Sequence, residues 1–124
     1  MAHPETTTPL IDSMSRALNV MSRRQQLIAS NVANVGTPGY QAVDVDFDRE
    51  LRKALAETAG PRDGGAVVPA RVRGLTARPD GNNVHLEREM AALAQTRGRY
   101  RVAALLIRMR FRQLTSALVG GDRR

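Results

Sequence analysis

The chain has 124 residues, a formal net charge of +7 and neither Cys nor Trp. That length bounds it to one small domain, and the missing Cys excludes disulfides, thiolate metal sites and Cys nucleophiles. With two Phe and two Tyr, the apolar content rests on Ala, Val, Leu and Met, which suits helices packed side by side. No apolar run approaches the roughly 18 residues of a membrane-spanning helix. Residues 1–9 lack the basic start and apolar stretch of a cleavable secretory signal. The charge is uneven: residues 84–124 hold nine Arg against Glu87, Glu89 and Asp122, whereas residues 41–83 balance to zero. A basic C-terminal segment points to nucleic acid, an anionic surface or an acidic protein partner.

Residues 1–7 are polar and are expected to be disordered. Thr8 is a suitable N-cap and Pro9 a suitable first helical residue, so a helix is expected from there. Ile11, Met14, Leu18, Met21, Gln25, Ile28, Val32 and Val35 then recur at intervals of three and four, a heptad seam with one polar interruption. Arg16, Arg23 and Arg24 fall off it. The seam runs into Ala29-Ser30-Asn31-Val32-Ala33-Asn34-Val35-Gly36-Thr37-Pro38-Gly39-Tyr40. Gly36 and Gly39 permit positive φ, and Pro38 pushes Thr37 out of the helical region. The block predicts a helix stop with a Gly cap and a tight turn. Asn31 and Asn34 are disfavoured in a helix, so their amides are expected to bond across a subunit interface or back onto the turn.

Residues 41–83 predict a loose middle segment. Val43, Val45 and Phe47 alternate with Asp44, Asp46 and Asp48, as in a short strand. Residues 48–58 allow one or two helical turns, and residues 66–72 a second short strand held to an edge by Pro69. A second helix is expected over residues 84–119, capped by Asn82 or Asn83. Its row is Leu86, Met90, Leu93, Arg97, Tyr100, Ala104, Ile107, Phe111, Leu114 and Leu118, spaced four and three throughout. Val102, Leu105, Leu106, Met109 and Val119 widen the apolar surface beyond what one partner covers. Residues 120–124 are a charged tail. The expected fold is all-α: residues 8–40 and 84–119 form one antiparallel coiled-coil hairpin around the loose middle.

Chemistry is sparse. The run Asp44-Val45-Asp46-Phe47-Asp48 starts like a calcium loop but has Arg49 where Gly is needed and Leu55 where Glu is needed. Its carboxylates therefore predict a solvated turn. His3 and His85 have no partner at ligand spacing, Ser30 lacks a nucleophile-elbow context, and Gly36-Thr37-Pro38-Gly39 lacks the Lys of a phosphate loop. No catalytic residue, cofactor, metal or small-molecule substrate is expected. The Arg residues ring the second helix rather than forming one face, which argues against nucleic acid.

Ala29-Ser30-Asn31-Val32-Ala33-Asn34, then Thr37-Pro38-Gly39-Tyr40, then Asp44-Val45-Asp46-Phe47, resembles the N-terminal motif of flagellar basal-body rod and hook proteins. The continuation Gln41-Ala42-Val43, the second block Asp80-Gly81-Asn82-Asn83-Val84, and Leu86-Glu87-Arg88-Glu89-Met90-Ala91 resemble the short proximal-rod type. The resemblance covers about residues 10–50 and 80–118. It implies a structural subunit of the periplasmic rod, exported unfolded through the flagellar type III apparatus without a cleaved signal. Implied partners are copies of itself, other rod proteins, the rod–MS-ring junction protein and the MS ring. Implied motif residues are Asn31, Asn34, Thr37, Pro38, Gly39 and Tyr40. The helix-packing and subunit-interface residues are Met14, Leu18, Met21, Ile28, Val32, Leu86, Met90, Leu93, Tyr100, Ile107, Phe111, Leu114 and Leu118. A helical adaptor or export-chaperone-like module is the alternative, and a basic nucleic-acid or membrane-surface binder a further one.

Overall fold

The computed structural model describes residues 4–56 and 67–120, with side chains from Pro9 onward. Five elements follow in order: α1 (Pro4–Ala33), β1 (Val43–Asp44), α2 (Phe47–Ala56), β2 (Ala70–Arg71) and α3 (Leu86–Gly120). The described residues are mostly helical. β1 and β2 pair antiparallel, with Val43 opposite Arg71 and Asp44 opposite Ala70.

α1 begins at Pro4, earlier than the Thr8 cap expected from sequence, and Pro9 lies inside it. Proline at a first helical position gives up only an amide that has no intrahelical partner, and Pro4 serves that role. Residues 1–3 lie outside the described residues. The expected seam of α1 faces inward along its length: Met21 and Ile28 are buried, and Ile11, Met14, Leu18, Gln25, Val32 and Val35 are half-buried. Complete burial of Ile28 is worth about 1.5–3 kcal/mol. A second row, Ala17 and Val20, is buried beside it.

That second row receives the described part of the middle segment; residues 57–66 lie outside the described residues. Asp46 caps α2: its side chain accepts the Arg49 N–H at 3.2 Å and its carbonyl accepts the Glu50 N–H at 2.9 Å. Phe47, Leu51 and Ala54 then lie on one face, at helical spacing. Val45, Phe47 and Ala54 join Val20 and Met21 in the buried core, flanked by Leu18, Leu27, Leu51, Val67 and Ala103. The strand-like alternation therefore stops at Asp44, and Phe47 opens a helix. The α2 C-terminus is held by Arg16, whose Nε donates to the Ala54 carbonyl at 3.0 Å. A cation there opposes the negative end of the helix dipole.

α3 crosses α1 with Glu89 against Asn31, Thr96 against Arg24, and Leu106 and Met109 in a groove shared with Leu10 and Met14. Its inward strip is rotated from the expected row. Glu89 and Thr96 are the buried positions, followed by half-buried Ala103, Ile107, Arg110 and Leu114. Leu93, Ile107 and Leu114 of the expected row turn inward. Leu86, Met90, Tyr100, Phe111 and Leu118 do not: they are 37–78% exposed. α3 carries apolar side chains on several faces, so the most regular apolar row is not the one that meets α1.

Gly98 sits in this exposed stretch, and a Cβ built there meets nothing within 4 Å. Gly98→Ala is expected to raise stability by about 1 kcal/mol, the helix-propensity difference. A urea midpoint that does not rise would show that the backbone at this position is not ordinary helix.

Candidate functional site

The turn motif and the second sequence block meet in space. α1 ends by tightening: the N–H groups of Asn34 and Val35 bond to the carbonyls of Asn31 and Val32 at 3.2 Å. A helix end leaves its last carbonyls unpaired. The turn supplies some donors, the Thr37 N–H to the Asn34 carbonyl at 3.0 Å and the Tyr40 N–H to the Thr37 carbonyl at 3.2 Å, and Asn82, fully buried, adds more from the other side of the loop. Its Nδ2 donates to the carbonyls of Asn34 (2.9 Å), Val35 (3.2 Å) and Thr37 (2.8 Å), while its Oδ1 accepts the Val84 N–H at 2.8 Å. Arg78 donates to the Val35 carbonyl as well, placing a cation at the negative end of α1.

Backbone contacts close the same joint. The Gly39 N–H reaches the Asp80 carbonyl at 2.8 Å, and the Asn83 N–H reaches Tyr40 at 3.2 Å. Asn83 Oδ1 accepts the Ala42 N–H at 2.6 Å, its Nδ2 donates to Gln41 Oε1 at 2.9 Å, and Gln41 Nε2 donates to the Gly81 carbonyl at 2.8 Å. Gly39 and Gly81 have φ of +74° and +83°, and a Cβ at Gly81 would sit 3.4 Å from the Gly39 Cα. Glycine is thus favoured at both positions by conformation, since side chains rarely adopt this φ. Gly36, expected as the helix cap, is not among the residues with positive φ; the carbonyls it was to satisfy bond to Asn82 and Arg78. Asn82 and Asn83 in turn do not cap α3. That helix opens with the His85 carbonyl accepting the Glu89 N–H at 3.0 Å.

Asn31 joins this joint to a buried charge network. It is fully buried. Its Nδ2 donates to the Val43 carbonyl (2.8 Å) and Glu89 Oε2 (3.0 Å), and its Oδ1 accepts the Val43 N–H (3.0 Å) and the Tyr40 hydroxyl (3.2 Å). Both donors and both lone pairs are therefore used within one chain. Asn31 grips one edge of β1 while β2 takes the other, where the Val72 N–H donates to the Ala42 carbonyl at 2.9 Å. Asn34 bonds back onto the turn, from Nδ2 to the Ser30 carbonyl (2.8 Å), and its Oδ1 accepts Thr37 Oγ1 (3.1 Å). Pro38 is exposed at the tip.

Glu89, 1% exposed, also accepts Arg88 Nη1 at 2.7 Å. Arg88 reaches Asp44 at 3.8 Å. Arg24 clamps Asp44 with Nε to Oδ1 at 3.1 Å and Nη2 to Oδ2 at 3.2 Å, the parallel fork that suits guanidinium and carboxylate. Arg24 and Arg99 both lie 5.0 Å from the Phe47 ring centroid, which adds two cation–π contacts. Two acids and two Arg balance, so the network is neutral overall.

Asp44 is therefore a buried structural anchor, not a solvated turn carboxylate, and Arg24 points inward although it lies off the seam. Sequence reasoning missed Arg24, Asp44, Glu89 and Thr96 as site residues. The signal available was that Asp44 and Glu89 each belong to one of the two motif blocks. Fold and site together define a structural subunit: two long helices fixed at one end by a polar clasp, with an apolar surface left uncovered on α3. Among the described residues, no group of three or more His, Asp or Glu is placed to hold a metal ion, and no helix is long and apolar enough to cross a membrane.

Comparison with known proteins agrees with that class. The family model described as flagella basal body rod protein matches residues 11–41. The flagellar basal body rod protein FlgB of Salmonella typhimurium is 31% identical over 124 residues, covering 86% of this chain and 90% of the relative. FlgB of Escherichia coli K12 is 28% identical with the same coverage, and FlgB of Cereibacter sphaeroides 33% identical over 86% and 91% of the two chains. The chain belongs to the FlgB family of flagellar basal body rod proteins, and is a structural component of that rod.

Proposed function

We infer that this subunit builds the proximal part of the rod, its first and third helices forming an antiparallel coiled coil in the inner layer. The order of contacts along the pair supports this: Asn31 meets Glu89, Arg24 meets Thr96, and Met14 lies with Leu106 and Met109. The observation that carries the assembly reading is the uncovered row Leu86, Met90, Tyr100, Phe111 and Leu118. Exposed apolar surface of that extent marks an association site. Met14, Leu18, Met21, Ile28 and Val32 hold the subunit together, and the α3 row packs against neighbours. The neighbours are other rod proteins, further copies, the rod–MS-ring junction protein and the MS ring. The chain reaches them through the flagellar type III export apparatus. The part it plays is non-enzymatic: it transmits torque across the periplasm.

Phe111→Asp tests the row, because Phe111 is 51% exposed and its loss leaves the subunit core alone. The isolated variant is expected to keep its helical circular dichroism, while cells carrying it as their sole copy lose swimming. Normal swimming, with Gln95→Asp as the exposed control, would remove the α3 row from the assembly interface.

A further inference from the structure

At the end of the helix pair away from the clasp, Leu10, Met14, Leu106, Met109, Arg110 and Gln113 line an open groove of about 310 Å³. Its walls are apolar and open: Leu10, Leu106 and Met109 are 42–50% exposed. Arg110 is different. It is half-buried, its Nη1 donates to Gln113 Oε1 at 3.2 Å, and its Nε is buried with no hydrogen-bond partner among the described residues. A buried guanidinium N–H without an acceptor is a rare and unfavourable arrangement. No acid of α3 relieves it: from Met90 to Gly120 the sequence has six Arg and neither Asp nor Glu. The sequence of α1 holds two acids, Glu5 and Asp12; among its described side chains, from Pro9 to Ala33, Asp12 is the one acid, and it is exposed.

We propose that this groove docks a helix from a different protein, whose apolar face presents an Asp or Glu carboxylate to Arg110 Nε. The proposal rests on the rod-subunit reading and narrows it to an acidic, heterotypic partner. A carboxylate takes a guanidinium through two parallel N–H groups, and Nε is one of those suited to it. A second copy of this chain brings the same Arg excess to the contact and is repelled. An anionic bilayer would engage exposed Arg97, Arg101, Arg108 and Arg112, but it has no need of a buried Nε between apolar walls.

The probe is a short synthetic amphipathic helix with one Glu at the centre of its Leu face, together with a twin carrying Gln there. Binding to the full-length chain is read by fluorescence anisotropy. The Glu peptide is expected to bind about tenfold tighter than its twin, the worth of one charge-assisted contact. Arg110→Met removes that difference, whereas Arg112→Met, on the exposed face, leaves most of it. Arg110→Met also melts no lower than the parent, since it deletes an unpaired buried N–H. Equal binding of the two peptides, equal loss in both Arg variants, or a lower melting point for Arg110→Met would overturn the proposal. So would self-association of the chain that blocks the groove, or phosphatidylglycerol vesicles displacing the Glu peptide. Such a failure alongside loss of swimming in Phe111→Asp sinks the groove's occupant alone and leaves the rod reading standing.

Discussion

Replacing Asn82 with Ala is expected to remove about 2–4 kcal/mol of folding stability. Its amide serves three carbonyls at the end of α1, and its oxygen holds the Val84 N–H. The Val84 N–H is left unpaired, which costs roughly 1–3 kcal/mol, while each carbonyl loses one of two donors and keeps the other: the Thr37 N–H on Asn34, Arg78 on Val35 and the Tyr40 N–H on Thr37. Water recovers part of that, because Gly36, Thr37 and Pro38 are exposed. Against the ~5–15 kcal/mol of a typical domain, the loss is a large share, so urea unfolding should shift far down and swimming should fail. Asn82→Asp is the sharper variant. It keeps the shape and the acceptor for Val84, but it turns a carboxylate toward three carbonyls. If Asn82 merely capped α3, Asp would be tolerated, since Asp caps helices well. Asp is expected to be at least as damaging as Ala, and an Asp variant of parental stability would refute the clasp.

Asp44→Ala is expected to cost about 3 kcal/mol, the low end for removing one partner of a buried ion pair. The side chains of Arg24 and Asp44 are 12% and 10% exposed, so the abandoned guanidinium stays largely dry. Phe47 and Thr96 keep part of its company, which holds the cost at the low end. Replacing both partners, as Arg24→Met with Asp44→Leu, should recover most of that loss, because no charge is then stranded; the Val45 N–H, which donates to Asp44 Oδ1 at 2.8 Å, keeps part of the cost. A double-mutant cycle by chemical denaturation reads the coupling directly. If the double variant proves as unstable as the single one, the pair works by positioning β1 against α1 rather than by charge balance.

Much of the scaffold was legible because apolar periodicity is a local signal. The seam of α1 from Ile11 to Val35 faces inward as its spacing requires, and the stop at Ala33 falls inside the Asn31–Tyr40 block. Asn31 and Asn34 could be singled out because they sit in a helix that does not favour them. Their partners were less accessible. Asn34 turns back onto Ser30 and Thr37, which neighbour it in sequence, whereas Asn31 reaches Val43 and Glu89. Asn82 and Asn83 look like helix caps to any local rule, because nothing near them reveals that the acceptors lie 45–48 positions earlier. Buried charges are hidden in the same way. Arg24, Asp44 and Glu89 carry the composition of a solvated face, and only the fold brings them together. In α3 the obstacle was excess: with apolar residues on several sides, spacing does not say which row meets α1. Glu89 and Thr96, the buried positions, are polar and belong to no apolar row.

The clasp also sets an order of events. The carbonyls that end α1 belong to residues 34–37, but the side chain that satisfies them is Asn82, about two thirds of the way along the chain. A chain emerging N-terminus first, from a ribosome or from a narrow channel, therefore exposes its whole first helix long before that helix can be finished. Until residue 82 is free, the carbonyls at the end of α1 have only the turn's own donors, the Thr37 N–H on Asn34 and the Tyr40 N–H on Thr37. Closing so distant a contact is slower than forming a helical hairpin joined by a short turn. The fold thus carries its own delay: the first part to appear stays pliable, and it becomes rigid when the joint between residues 34–40 and 78–84 closes.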